Sequence, residues 1–341
     1  MNILISIVQP LYHYLIRLRN YLFDHGLFRS KRVSVPVISV GNISFGGTGK
    51  TPVVIWIARQ IKEGGFLPVV ISRGYKRKSL FARIVSDTKE IKTRRIWAGD
   101  EPFLMAHKLK GIPVVVSRNR VRGAHKAIKR FKPDAIILDD GFQHRKIKRN
   151  VDIVLVDSPE TLNNKTLLRE PIKSLRRAHA ILFTKYDQYK DSEDIKDNMV
   201  KVLSCPVFKS RFEPVFIRND KGKIPADVLD KKTVWIIAGI GNPKYFEHTV
   251  LGLGSYISRK FIYRDHARYP RWRVKRIIKK FKNSSADYLL TTEKDWYKVK
   301  KWIPDDVPGF YLDIDMKIDR SKLLLKLIYD LTYLYKDEIL E

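Results

Sequence analysis

The segment Ser44-Phe-Gly-Gly-Thr-Gly-Lys-Thr51 constrains this chain more than any other feature. It stands between the apolar run Pro36-Val-Ile-Ser-Val40 and a helical stretch opening near Pro52. A strand, a glycine-rich turn and a helix start, in that order, form a phosphate-binding loop. Gly46, Gly47 and Gly49 let the backbone bend until its N–H groups point inward at phosphate oxygens. The following helix presents its positive N-terminal end to the same point. Lys50 reaches the β- and γ-phosphates, and Thr51 offers a hydroxyl to Mg2+. Phe45 and Thr48 complete the loop, and Ser44 stands where the usual pattern has its first glycine. The alternative is a glycine turn with no ligand, but the Gly-Lys-Thr ending in this context favours a nucleoside triphosphate site.

The rhythm around the loop predicts the fold. Short β-branched runs at 36–40, 68–72, 113–117, 135–139, 152–156 and 180–184 alternate with longer helical stretches. This is the pattern of βαβ units and a mostly parallel α/β sheet with helices on both faces. Most runs are apolar throughout, as strands covered on both sides must be. Glycine-rich or charged segments follow each run: RGYKRK (73–78), RNRVR (118–122) and DGFQHR (140–145) among them. They gather at the carboxyl edge of the sheet, where open α/β sheets bind ligands. Residues 31–204 read as the loop-bearing domain, with 317–341 returning to it as a helix. Residues 205–316 read as a two-stranded linker and a smaller α/β domain.

Several side chains near that edge carry chemistry. The run Ala135–Asp139 ends in Asp139 and Asp140, carboxylates placed to hold Mg2+ opposite the loop. A capping aspartate is the alternative. Asp100, in Gly-Asp-Glu-Pro, is a candidate base for an attacking hydroxyl or an N-cap. His266 follows Asp265, which can orient and charge its imidazole. Arg73 and Arg118 head basic loops suited to an anionic small substrate. Phe-Thr-Lys-Tyr-Asp (183–187) resembles the Asn-Lys-X-Asp element by which GTPases select guanine, with Thr184 in place of the asparagine. A GTPase or switch protein is therefore an alternative.

Charge supplies another. Lys and Arg total 67 against 36 Asp and Glu, a formal net charge of +31. Such an excess attracts polyanions, so a nucleic-acid-dependent ATPase is a second alternative. The basic loops lack the interleaved aromatics of a stacking platform, Tyr75 apart. The single cysteine, Cys205, excludes an intrachain disulfide and makes a zinc site improbable. At the N-terminus, Leu11, Leu15, Leu18 and Leu22 recur at helical spacing with Tyr14 and Tyr21 beside them. Such a helix fits a membrane interface, or packs on the protein's own core. Pro10 and His13 interrupt it, and the stretch falls short of a bilayer span.

Taken in order, PVISVGNISFGGTGKTP, ISRGYKRKS, GDEP, ILDDGFQHRKIKR, LREP (168–171), AGIGNP, the pair at 265–266 and LLTTEKDW (289–296) resemble the tetraacyldisaccharide 4'-kinases of lipid A biosynthesis. The resemblance spans about residues 10–320. It implies an ATP- and Mg2+-dependent kinase at the cytoplasmic face of a Gram-negative inner membrane, attached peripherally. The implied acceptor is the 4'-hydroxyl of a lipid-anchored tetraacylated disaccharide 1-phosphate, and the product is lipid IV-A. Residue by residue it implies Lys50 on phosphate, Thr51 near the metal, and Asp139 and Asp140 as the acidic strand end. It further implies Asp100 as base, supported by the Asp265–His266 pair as the second domain closes. Gln143 and Arg169 match polar positions near the nucleotide or catalytic centre. A membrane-held substrate favours the interfacial reading of residues 1–30 and gives the positive charge an anionic lipid surface as partner. No nucleic acid and no obligate protein partner are expected.

Overall fold

The computed structural model describes residues 2–45, 47–79, 81–157, 168–186 and 205–334, with side chains from Tyr12 onward. The chain divides into two compact units, Met1–Arg211 with Ile318–Glu341, and Phe212–Lys317. It leaves the first within the strand Val207–Arg218 and re-enters it at the end of the strand Gly309–Ile318.

The first unit is built on strands β1 (Val37–Asn42), β2 (Pro68–Ser72), β3 (Arg83–Ser86), β4 (Val114–Val116), β5 (Ala135–Asp139), β6 (Val151–Val156), β7 (Ala180–Phe183) and β8 (Val207–Arg218). Their order is β8-β7-β6-β1-β5-β2-β4-β3, parallel except for β3 against β4. β3 is the strand that the run pattern does not reveal. It is a four-residue edge strand with two residues open to water, so its alternation is too short to read.

Helices cover both faces, which is why the central strands are apolar throughout. The helix Arg120–Phe131 packs Val121, Ala124 and Ala127 on Val37, Val69, Ile71, Ile136 and Leu138. The alternate residues Ile38, Val70 and Ile137 are equally buried, facing the other side. The helix Lys50–Glu63 follows β1 and packs on β1, β2 and β5. The helix Ser321–Thr332 buries Leu324, Ile328 and Thr332, while Leu323 faces solvent.

The second unit has its own parallel sheet, ordered Tyr256–Ile262, Thr233–Ala238, Tyr288–Thr292, Gly309–Ile318. Val234 and Ile236 enter one core with Phe246 and Val250. Trp235 and Ile237 enter another with Val274, Ile278 and Phe281. Alternation along one strand thus supplies both faces.

Candidate active site

The phosphate-binding loop sits where the sequence places it, between β1 and the helix Lys50–Glu63. Gly49 precedes that helix with φ of 85°, a left-handed conformation that favours glycine. Gly46 lies outside the described residues. Ser44 and Thr48 are buried, and neither hydroxyl has a hydrogen-bond partner among the described residues. Buried orphan hydroxyls are costly unless a ligand satisfies them, which fits a nucleotide-binding loop. Thr184 donates its hydroxyl to the Thr48 carbonyl at 2.8 Å, and Lys185 donates to the Gly47 carbonyl at 2.9 Å. Both side chains therefore brace the loop backbone. Asp187, the last residue of that element, lies outside the described residues.

Lys50 donates to Asn42 Oδ1 at 3.2 Å and pairs with Asp140 at 3.3 Å. Asp140 has φ of 54° and also accepts from Arg169 at 3.0 and 3.2 Å. Burial alone would raise the Asp140 pKa, but Lys50, Arg169 and Arg120 more than offset it and hold the carboxyl below its usual range. Asp139 is different. Its side chain is buried, accepts from the Ser72 hydroxyl at 2.7 Å and has no ion-pair partner among the described residues. Burial, then neighbouring Glu101 and Asp140, push its pKa well up. A buried carboxyl of this kind gains most from a cation. Gln143 donates to the Asn42 carbonyl at 2.7 Å, tying the turn after β5 to the strand before the loop.

Asp100 opens the helix Asp100–Lys108. The capping position belongs to Gly99, which has no side chain, so Asp100 is not the N-cap. Arg95 donates to its carboxylate at 2.8 Å. Gly99 packs on the backbone of Gly74, and a Cβ on Gly74 would lie 2.6 Å from the Ala98 carbonyl. Bare backbone at both glycines brings the RGYKRK loop against the start of the Asp100 helix. Arg73 and Arg118 are exposed and make no ion pair among the described residues, so both remain available to an anion.

The first helix, Asn2–Asp24, docks on the first unit through polar groups. Tyr12 donates to the Arg169 carbonyl at 3.2 Å and His13 contacts the Leu168 carbonyl at 3.3 Å. Arg19 and Asn20 each reach the buried Glu170 carboxylate at 3.1 Å, and Arg177 donates to the oxygen that Asn20 also binds. The 168–170 segment is itself joined to the loop, Arg169 N–H donating to the Ile43 carbonyl at 2.6 Å. Arg169 and Tyr12 both contact the ring of Phe45. Most of the apolar stripe of this helix points away: Tyr14, Leu15, Leu18 and Tyr21 are 62%, 54%, 44% and 54% exposed, whereas Leu22 is half-buried and the Leu11 side chain lies outside the described residues. The core-packing alternative does not hold for the four exposed residues.

Comparison with known proteins decides the family. The tetraacyldisaccharide-1-P 4'-kinase family matches residues 1–332. The tetraacyldisaccharide 4'-kinase of Syntrophus aciditrophicus is 36% identical, over 96% of this chain and 92% of its own length. That of Aquifex aeolicus is 36% identical, over 95% of this chain and 96% of its own length. The chain belongs to the tetraacyldisaccharide-1-P 4'-kinase family. The crystal structure of LpxK from Aquifex aeolicus in complex with ATP superposes with a TM-score of 0.78 at 33% identity, covering 96% of this chain and 98% of that one. The fold is therefore the mostly parallel α/β fold of that kinase.

In this family member the second unit carries its own charged cluster. Lys294 donates to Asp265 at 3.1 Å and lies 3.5 Å from His266 Nε2, and His266 has φ of 60°. The first unit contains site residues that the sequence reading passes over. Arg120 is buried and donates to the Asp139 carbonyl at 3.2 Å, fixing the acidic strand end. Asn42, Ser72, Arg95 and Glu170 act through contacts described above. The sequence signal for Arg120 is its place in RNRVR, two residues from the exposed Arg118.

His144, in DGFQHR, gives this kinase a measurable acid sensitivity. Burial, then Arg120 and Arg149, lower its pKa from 6.5 to about 4. The unfolded chain takes up a proton on this side chain between roughly pH 6.5 and 4, and the folded chain does not. The side chain therefore contributes to stability above that window, and the contribution is lost as pH falls through it. The loss is on the order of 1–2 kcal/mol after allowance for partial solvent access. His144→Gln is expected to flatten the decline in Tm between neutral pH and pH of about 4.5. An unchanged decline would rule out His144 as its source.

Proposed function

We propose that this chain transfers the γ-phosphoryl group of ATP to the 4'-hydroxyl of tetraacyldisaccharide 1-phosphate, giving lipid IV-A in lipid A biosynthesis. Family membership over nearly the whole chain carries the reading. Lys50, helped by loop N–H groups, neutralises charge on the transferring phosphoryl oxygens. Asp100, held by Arg95, takes the proton of the attacking hydroxyl. Arg73 and Arg118 hold anionic groups of the acceptor, and Arg169 and Gln143 position the loop side of the site. Asp265 and His266 are assigned to support of the base from the family resemblance alone.

The donor set also fits Mg2+. Thr51, Asp139 and Asp140 are hard oxygen ligands at the strand end and helix start. Among the described residues no cluster of three or more acidic, His or Cys side chains forms a ready cage. Mg2+ in such sites takes one or two carboxylates, with phosphate and water filling the rest. Asp139 suits direct contact better, because Asp140 already carries Lys50 and Arg169. When bound there, the ion would supply positive charge to offset the charge developing on the phosphate.

Residues 1–30 are assigned to a membrane interface, 31–204 with 317–341 to the kinase domain, and 205–316 to the linker and smaller domain. Among the described residues no helix is long and apolar enough to cross a membrane. The exposed stripe of the first helix instead suits peripheral attachment at the cytoplasmic face of the inner membrane. The guanine-switch alternative has only the 183–187 element behind it, and there Thr184 already serves the loop. The deciding experiment incubates labelled ATP with the tetraacyl disaccharide 1-phosphate and looks for label on the lipid. Label released only as inorganic phosphate, or a preference for GTP, would end the kinase reading.

The stripe has its own test. Leu15→Ser with Leu18→Ser removes two exposed side chains and none of the hydrogen bonds to 168–170 described above. It is expected to weaken binding to phosphatidylcholine vesicles by at least about tenfold. Full retention of binding would reassign the stripe. Deleting residues 1–25 is a poorer test, because it also removes Tyr12, Arg19 and Asn20 from the loop's support.

A further inference from the structure

The helix Arg271–Lys282 in the second unit is charged beyond what its own stability favours. Seven of its 12 residues are Lys or Arg and none is acidic. Arg271 and Arg273 stand in the first turn, where the helix dipole disfavours cations. Lys275 and Lys279, and Arg276 and Lys280, repel one another at i,i+4 spacing. Its inner face is ordinary core: Val274, Ile277, Ile278 and Phe281 are buried. At the opposite pole lie Arg276 and Lys279, with Lys275 and Lys280 flanking them. These four form no hydrogen bond or ion pair among the described residues. Trp272 sits in their midst, 62% exposed. Arg259 lies over Trp235 at 5.0 Å, on the same side of the sheet as the helix, and extends the positive face.

We propose that this outer face is a binding surface for anionic lipid headgroups, a contact with the bilayer made by the second unit itself. Lys and Arg ringing an exposed indole is the composition suited to the headgroup layer. The indole enters the interface while the cations meet phosphate, and the like-charge repulsion within the helix is relieved there. A nucleic-acid face fits less well, because one tryptophan on a convex helix offers no series of stacking rings and no groove. The inference rests on the reading that the acceptor is carried in a bilayer.

The test compares the full chain with K275Q/R276Q/K279Q/K280Q and with W272A. Each is bound to phosphatidylcholine vesicles and to vesicles of equal parts phosphatidylcholine and phosphatidylglycerol. The quadruple variant is expected to lose at least about tenfold in binding to the mixed vesicles and to match the parent on the neutral ones. W272A is expected to weaken binding to the mixed vesicles by a smaller factor. Equal binding of parent and quadruple variant to the mixed vesicles would overturn the proposal. So would parent binding to duplex DNA that is tighter than to the mixed vesicles and is lost in the quadruple variant. Lipid phosphorylation in neutral detergent micelles is measured in parallel, and the quadruple variant is expected to keep it. A parent inactive there would count against the kinase reading alone, because vesicle binding is read separately.

Discussion

Lys50→Ala is expected to lower kcat/KM for lipid phosphorylation by about a thousandfold while leaving the protein folded. The size follows from removing a preorganised cation from developing negative charge, worth two to three orders of magnitude in comparable sites, roughly 10²–10³. The folded state tolerates the loss. Lys50 is paired with Asp140, and Asp140 keeps Arg169 at 3.0 Å when Lys50 is gone. Asn42 Oδ1 loses its lysine, but the Asn42 amide still donates to the Ser44 carbonyl at 2.9 Å. A Tm shift of only a few degrees is therefore expected beside the loss of turnover. Lys50→Arg should not rescue, since a planar guanidinium does not replace a compact ammonium inside a tight loop. Turnover within about tenfold of the parent would remove Lys50 from the chemistry.

The contrast between Lys50 and Glu170 shows what the sequence makes legible. Lys50 is readable because one short segment holds its whole context: strand, glycines, lysine, hydroxyl, helix. Asp139 and Asp140 are readable for the same reason, as the end of an apolar run. The two roles that separate them are not. Asp139 is raised by burial and Glu101, and Asp140 is lowered by Lys50, Arg169 and Arg120, partners scattered across the chain. Glu170 is harder still. Its carboxylate is bound by Arg19 and Asn20, about 150 residues away, and the LREP segment that contains it does not show those partners. The leucine stripe at 11–22 left two readings open, because periodicity shows which residues share a face and not what covers that face. The exposure of Leu15 and Leu18 speaks against the core for those two positions.

These contacts also tie the first helix to the phosphate-binding loop. Its Tyr12 touches Phe45 of the loop, and its Arg19 and Asn20 fix the segment that carries Arg169. Arg169 in turn shares Asp140 with Lys50. A change in how this helix is seated therefore reaches the loop through packed groups in one unit. Substitutions at its exposed stripe and at its docked face should have separable effects, on vesicle binding and on turnover.

Asp100 is the position at which a structural and a catalytic role predict different measurements. As the first residue of the helix Asp100–Lys108 it favours the helix dipole, worth about 0.3–1 kcal/mol. Glu101 in the same turn supplies that interaction too, so the structural role is partly redundant. As the group that accepts the hydroxyl proton it acts through its own carboxylate, which Arg95 holds in place. Asp100→Asn keeps shape and hydrogen-bonding capacity but cannot take a proton. The base role predicts a fall in kcat of about 10²–10⁴-fold with little change in KM for ATP or in Tm. The helix-start role alone predicts the reverse, a Tm lower by a few degrees with kcat nearly intact. Asp100→Glu sharpens the comparison, since it restores a carboxylate displaced by one methylene. It should recover Tm in full and kcat only in part, because proton transfer depends on reach and a dipole interaction barely does.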